Sequence, residues 1–128
     1  MSRPEPEPLP EPGRRFLGEI REQPQALRRL IAHEAEIARV ARALRKRGAT
    51  LVRLVGHGSS DNAASYGIYA FGLPRWTALR DSITLTVHFR STLDMAGSAV
   101  IGLSQSGRTP DVVEYMARAR ELGAFTVA

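Results

Sequence analysis

Two short segments gather the side chains most able to hold a ligand. They are Gly56-His57-Gly58-Ser59-Ser60-Asp61 and Ser104-Gln105-Ser106-Gly107-Arg108-Thr109. Hydroxyls donate and accept hydrogen bonds, and glycine bares the backbone amides. The second segment has no carboxylate to repel an anion, so a phosphate is the group this chemistry fits. The other reading is that serine and glycine make good turns and helix caps. It stays open for either segment alone and accounts less well for both at once.

Related chemistries are matched less well. Gly56-x-Gly58-x-x-Asp61 has two glycines of a dinucleotide fingerprint, but Asp stands where the third is needed. Gly102-x-x-x-x-Gly107-Arg108-Thr109 resembles a P-loop, yet Arg replaces the lysine and Pro110 removes an amide just beyond. His33, His57 and His88 have no metal-ligand spacing, and with no cysteine there is no thiolate site, disulfide or cysteine nucleophile. No metal and no cofactor are expected.

The elements that must carry the two segments follow from periodicity. Leu51-Val52-Arg53-Leu54-Val55 is a β-rich run ending in Gly56, and a helix is expected from about Asn62 to Phe71. Ser82 to Phe89 reads as a second strand, and Ala99 to Leu103 as a third, apolar enough to be buried on both faces. Pro110 to Leu122 reads as a helix with Thr109 able to cap it and Gly123 to stop it, and Phe125 to Ala128 begins a fourth strand. Strand alternating with helix predicts a three-layer αβα doubly wound parallel sheet of flavodoxin-like type, incomplete at its C-terminal edge, in a chain expected to be a piece of a longer one. With strand order 2-1-3-4, the loops after strands one and three flank the point where the winding reverses, the usual ligand crevice of such sheets.

Upstream, Phe16, Leu17 and Ile20 fit a short helical turn that the Gln23-Pro24 step should interrupt. A second helix is expected from about Pro24 to Arg47, with Leu27, Leu30, Ile31, Ile37, Val40, Ala41 and Leu44 on one stripe and Gly48 as its stop. His33 and Glu34 read as surface residues. Residues 14–48 thus form N-terminal helices, and residues 49–128 the α/β domain. Residues 1–13, with five of the eight prolines, read as an extended, disordered Pro/Glu-rich leader.

The net charge is +5, and residues 14–48 alone carry ten Arg or Lys against four Glu. That basic helix reads as a solvated face rather than a nucleic-acid contact, since no second helix of helix-turn-helix type accompanies it. No apolar run is long enough to span a membrane, and no signal pattern opens the chain, so a cytoplasmic protein with neither nucleic-acid nor membrane partners is expected.

The run IGLSQSGRTPDVVEYMARARELGAFTVA resembles the phosphosugar-binding signature of the sugar isomerase (SIS) domain. VGHGSSDNAASYGIYAF resembles the glycine-serine loop and helix that precede it, 45 residues upstream of the SQSG element. FLGEIREQPQALRRLI is similar to the first helices in the isomerase half of glutamine-fructose-6-phosphate aminotransferases (glucosamine-6-phosphate synthases) and their glutaminase-less relatives. The resemblance implies that Ser104, Ser106, Gly107 and Thr109 hold the phosphate of a sugar phosphate. It also implies that Gln105, Gly58, Ser59 and Ser60 contact the ligand from the opposite wall. His57 stands where the family often has a small residue and reads as a turn residue, while Arg108 replaces the glutamate common in the synthases. No glutaminase domain or N-terminal cysteine is seen before residue 14 of this sequence, so glutamine is not expected to be the direct nitrogen donor.

Two functions follow as expectations. The first is the phosphosugar-binding lobe of an amino-sugar-phosphate isomerase, deaminase or aminotransferase-like protein handling fructose 6-phosphate or glucosamine 6-phosphate, completed by a second SIS lobe or a homodimer. Glu114 and Glu121 read as surface residues, which leaves the catalytic residues unassigned. The second is a non-catalytic module that senses a phosphosugar.

Overall fold

The computed structural model describes residues 13–128. Residues 1–12 of the expected leader lie outside them. Two compact units divide at Val40. In the first, α1 (Arg14–Ala32) runs on through Pro24, and α2 (Glu34–Lys46) begins after a break at His33. The expected interruption at Gln23-Pro24 therefore falls nine residues later. Proline there removes one backbone hydrogen bond, whereas the surrounding Glu, Gln, Ala, Leu and Arg are all strong helix formers. At His33 the chain pivots: its amide donates to the Leu30 carbonyl at 3.0 Å, and its own carbonyl accepts from Glu36 and Ile37. Exposed ion pairs, such as Arg15–Glu19 and Arg29–Glu22, lie along α1, and none of its residues is buried.

The second unit is a four-stranded parallel sheet of order β2-β1-β3-β4, with β1 (Leu51–Gly56), β2 (Thr77–Arg80), β3 (Ser98–Leu103) and β4 (Phe125–Val127). The helix α3 (Ser60–Gly72) packs on β1 and β2, and α4 (Pro110–Glu121) packs on β3 and β4. Their cores lie on opposite faces of the sheet. Val52, Leu54 and Ala64 make one, and Val55, Val87, Met95, Val100, Tyr115, Ala119 and Ala124 make the other. Alternating residues of β1 supply both, as the period of two in a strand requires. This is the doubly wound α/β fold expected from the alternation of elements. At the end of α2, Gly48 takes φ +69°, and the Arg47 guanidinium stacks over Phe125 at 4.7 Å.

One strand is misplaced in the sequence reading. Thr77–Arg80 is the second strand, and Ser82–Phe89 contains no strand: Thr84–His88 is a π-helical turn closed by the Phe89 amide on the Thr84 carbonyl at 3.0 Å. Asp81 and Ser82 start it. Asp81 Oδ1 accepts from the Ser82 amide at 2.8 Å, and Ser82 Oγ from the Leu85 amide at 3.3 Å. Ile83, Thr86 and Val87 then turn inward at helical spacing, with Val87 fully in the α4-side core and Ile83 against it. Packing against α4 overrides the β-propensity of this run. Among the described residues, no helix is long and apolar enough to cross a membrane.

Candidate functional site

The parallel register of β1 and β3 sets Gly56 opposite Leu103. The loops that follow these two residues therefore leave the sheet from neighbouring strand ends, about 4.8 Å apart, where the winding reverses. Each leads into the N-terminus of a helix of twelve or more residues, α3 or α4.

The first loop turns sharply. Gly58 takes φ +61°, its carbonyl accepts the Asp61 amide at 3.1 Å, and the Ser59 carbonyl accepts that of Asn62 at 3.1 Å. Gly56 has no room for a side chain: a Cβ would stand 2.8 Å from the backbone of Ser60. Strand end and helix start are thus in direct backbone contact, which explains the first glycine. The hydroxyls of Ser59 and Ser60 make no hydrogen bond among the described residues.

The second loop is held by its own hydroxyls. Ser104 Oγ accepts from the Gly107 amide at 3.1 Å and lies 3.0 Å from Thr109 Oγ1. Ser106 Oγ accepts from the Arg108 amide at 3.2 Å, and Gly107 takes φ +65°. Thr109 sits at the N-cap of α4 without a side-chain capping bond, because its hydroxyl faces Ser104. The sequence had Thr109 available as a cap, and the structure gives that hydroxyl to the loop. The carbonyl of Thr109 accepts from Val113, while Pro110 has no amide to offer. This leaves the Asp111 and Val112 amides at the positive end of the helix dipole. Gln105, Ser106, Gly107 and Arg108 are exposed, and Ser104 and Thr109 half-buried.

A cleft beside the first loop is a feature the sequence did not single out. This cleft, of about 320 Å³, opens between that loop and the end of β2, with His57, Gly58, Asp61, Arg80, Asp81 and Ser82 on its walls. Ser104–Thr109 do not line it, nor do Ser59 and Ser60. On its wall Arg80 Nη1 lies 2.9 Å from Asp61 Oδ2 and 3.4 Å from Ser65 Oγ. Behind it, Asp81 Oδ2 accepts from Arg53 Nη1 at 2.7 Å and from the Tyr115 hydroxyl at 2.6 Å, and Arg53 Nε donates to Ser98 Oγ at 3.2 Å. Burial, and then the bond to Asp81, push the Tyr115 phenol well above its ordinary range. The signal for this network was Arg53 itself, a cation in the middle of an apolar strand, which requires a buried carboxylate. Glu114 and Glu121 are exposed, as expected.

No protein-family model matches the chain, and no curated protein matches it. Among solved structures, the crystal structure of a "putative phosphosugar isomerase" from Silicibacter pomeroyi DSS-3 is similar, with 35% sequence identity and a TM-score of 0.78. The match covers 86% of this chain and 34% of that one, so this chain spans about a third of the length of that protein. Over the matched region the two share the parallel sheet with helices on both faces.

Proposed function

We propose that this chain is a phosphosugar-binding lobe of SIS type, part of an isomerase, deaminase or aminotransferase-like protein acting on fructose 6-phosphate or glucosamine 6-phosphate. What carries the reading is the β1–β3 register, which brings the glycine-serine loop and the Ser104–Thr109 loop out side by side at the reversal of strand order. The likeness to a protein described as a phosphosugar isomerase supports it.

In this reading the phosphate lies on the second loop. The hydroxyl hydrogen of Ser106 and that of the Ser104–Thr109 pair turn outward to it, and the Asp111 and Val112 amides complete the cradle. The loop is already in its turn before any ligand arrives, since the amides of Gly107 and Arg108 are tied to Ser104 and Ser106. Little ordering remains to oppose binding. Gly58, Ser59 and Ser60, with Gln105, contact the ligand from the opposite wall. Such an anchor holds the carbon chain in register while a base moves a proton between adjacent carbons. That base is proposed to come from a second lobe or from a second copy of the chain.

Titration calorimetry with fructose 6-phosphate, glucosamine 6-phosphate and unphosphorylated fructose tests the anchor. Binding is expected to require the phosphate and to fall in Ser104→Ala/Ser106→Ala. Two hydrogen bonds to a charged group are together worth about 3 to 6 kcal/mol. Equal binding of free fructose, or no effect of the double substitution, would overturn the assignment.

A further inference from the structure

The cleft between the first loop and the end of β2 takes no part in the phosphate cradle, yet its walls are chemically specific. Arg80 and Asp61 on its walls form an ion pair at 2.9 Å, both partly open to solvent. Each still has unused capacity: Nε and Nη2 of Arg80 and Oδ1 of Asp61 have no hydrogen-bond partner among the described residues. A donor and an acceptor therefore stand side by side. The charges cancel as well, because Arg80 is matched by Asp61, and Asp81 is matched by Arg53 behind it. The cleft walls carry Asp61 and Asp81 against Arg80, so they offer an anion no net positive charge. Adjacent hydroxyls, each able both to donate and to accept, fit such a pair.

Position points to the same class of ligand. β2, β1 and β3 are consecutive in the sheet, so the end of β2 stands about two strand spacings of 4.8 Å from the end of β3. A ligand whose phosphate rests on the loop after β3 must run back across the first loop to reach Arg80. An extended sugar-phosphate chain has that length.

Resting on the phosphate-anchor reading, we infer that this cleft receives the hydroxylated carbon chain of the sugar phosphate, with Arg80 and Asp61 binding a pair of its hydroxyls. The pair is then a specificity determinant that acts on the sugar and not on the phosphate.

The experiment compares fructose 6-phosphate with inorganic phosphate by titration calorimetry on the full chain. Arg80→Ala and Asp61→Asn are expected to weaken the sugar phosphate tenfold or more and to change inorganic phosphate less than twofold. The exchange Asp61→Arg/Arg80→Asp separates recognition from a clip that merely ties α3 to β2. It rebuilds the ion pair with donor and acceptor reversed, so the melting temperature should recover while sugar-phosphate affinity does not. Unchanged sugar-phosphate affinity in Arg80→Ala, or recovery of both quantities in the exchange, would overturn the inference. Failure of the anchor itself looks different: Ser104→Ala/Ser106→Ala would then leave both ligands bound as before. Absence of binding by either ligand to the unmodified chain would overturn both readings.

Discussion

Arg53 Nη1 lies 2.7 Å from Asp81 Oδ2, with the two side chains only 13% and 8% exposed, so the residue just after β2 is bonded to the middle of β1. Arg53 Nε also donates to Ser98 Oγ, and the Asp81 carboxylate also accepts from the Tyr115 hydroxyl and the Ser82 amide. Charges this deeply withdrawn are stable only while paired. Arg53→Met or Asp81→Leu alone is expected to cost about 3 to 5 kcal/mol, and the double substitution less than the sum of the singles. Urea unfolding of the three variants measures this; additive costs would show that the two groups are not coupled.

Tyr115 extends the same network and gives it a pH signature. Its phenol is fully buried and its folded-state pKa is raised, by burial first and by Asp81 second. The proton is held more tightly in the folded chain than in the unfolded one. The resulting stability is complete below about pH 10, where an unfolded tyrosine still keeps its proton. Above that the unfolded chain ionises first, and stability should fall by up to about 1.4 kcal/mol per pH unit. Tyr115→Phe is expected to remove this fall from the alkaline limb while costing about 1.5 to 3 kcal/mol at neutral pH through loss of the bond to Asp81. Thermal melts from pH 8 to 11 on both proteins check the contrast, and an identical alkaline slope would refute the assignment.

The run Ser82–Phe89 shows how far local sequence could be trusted. Its β-branched alternation favours a strand, and its i, i+3, i+4 positions Ile83, Thr86 and Val87 equally suit a helical turn against α4. Periodicity alone could not choose; the Asp81-Ser82 start, a helix N-terminus signal, was the deciding clue. Ser82→Ala removes the hydroxyl that accepts the Leu85 amide. It is expected to cost about 1 kcal/mol, as N-cap losses generally do, in a urea titration with unchanged m-value. A neutral substitution would mean that packing alone sets the turn.

Elsewhere the sequence was direct wherever one residue type had one physical use. Gly48 and Gly123 stop helices with positive φ, and the apolar runs of β1 and β3 form the sheet centre. Both glycine-hydroxyl loops were legible because short donors and bare amides at helix starts are local features. The cleft at Arg80 was not, because Arg80, Asp61 and Asp81 meet only through pairing of β1 with a four-residue strand of ordinary composition. Arg53 in an apolar strand calls for a buried carboxylate, but nothing in its sequence neighbourhood says which one.

Thr109 offers the finest test of the second loop, because its hydroxyl serves the loop rather than the helix. It lies 3.0 Å from Ser104 Oγ, and α4 has no other side-chain cap at this end. Thr109→Val keeps the shape of the side chain and removes only the hydroxyl. If the Ser104–Thr109 pair supplies one donor to a phosphate, affinity for inorganic phosphate should drop about tenfold, the weight of one such bond. Stability should change by less than about 1 kcal/mol, the typical worth of a partly exposed neutral bond. Thr109→Ser should restore affinity, since it returns the oxygen without the methyl. Calorimetry and urea titration of the two variants separate the outcomes. Full affinity in Thr109→Val would take Thr109 out of the cradle and leave the phosphate to Ser104, Ser106 and the helix amides.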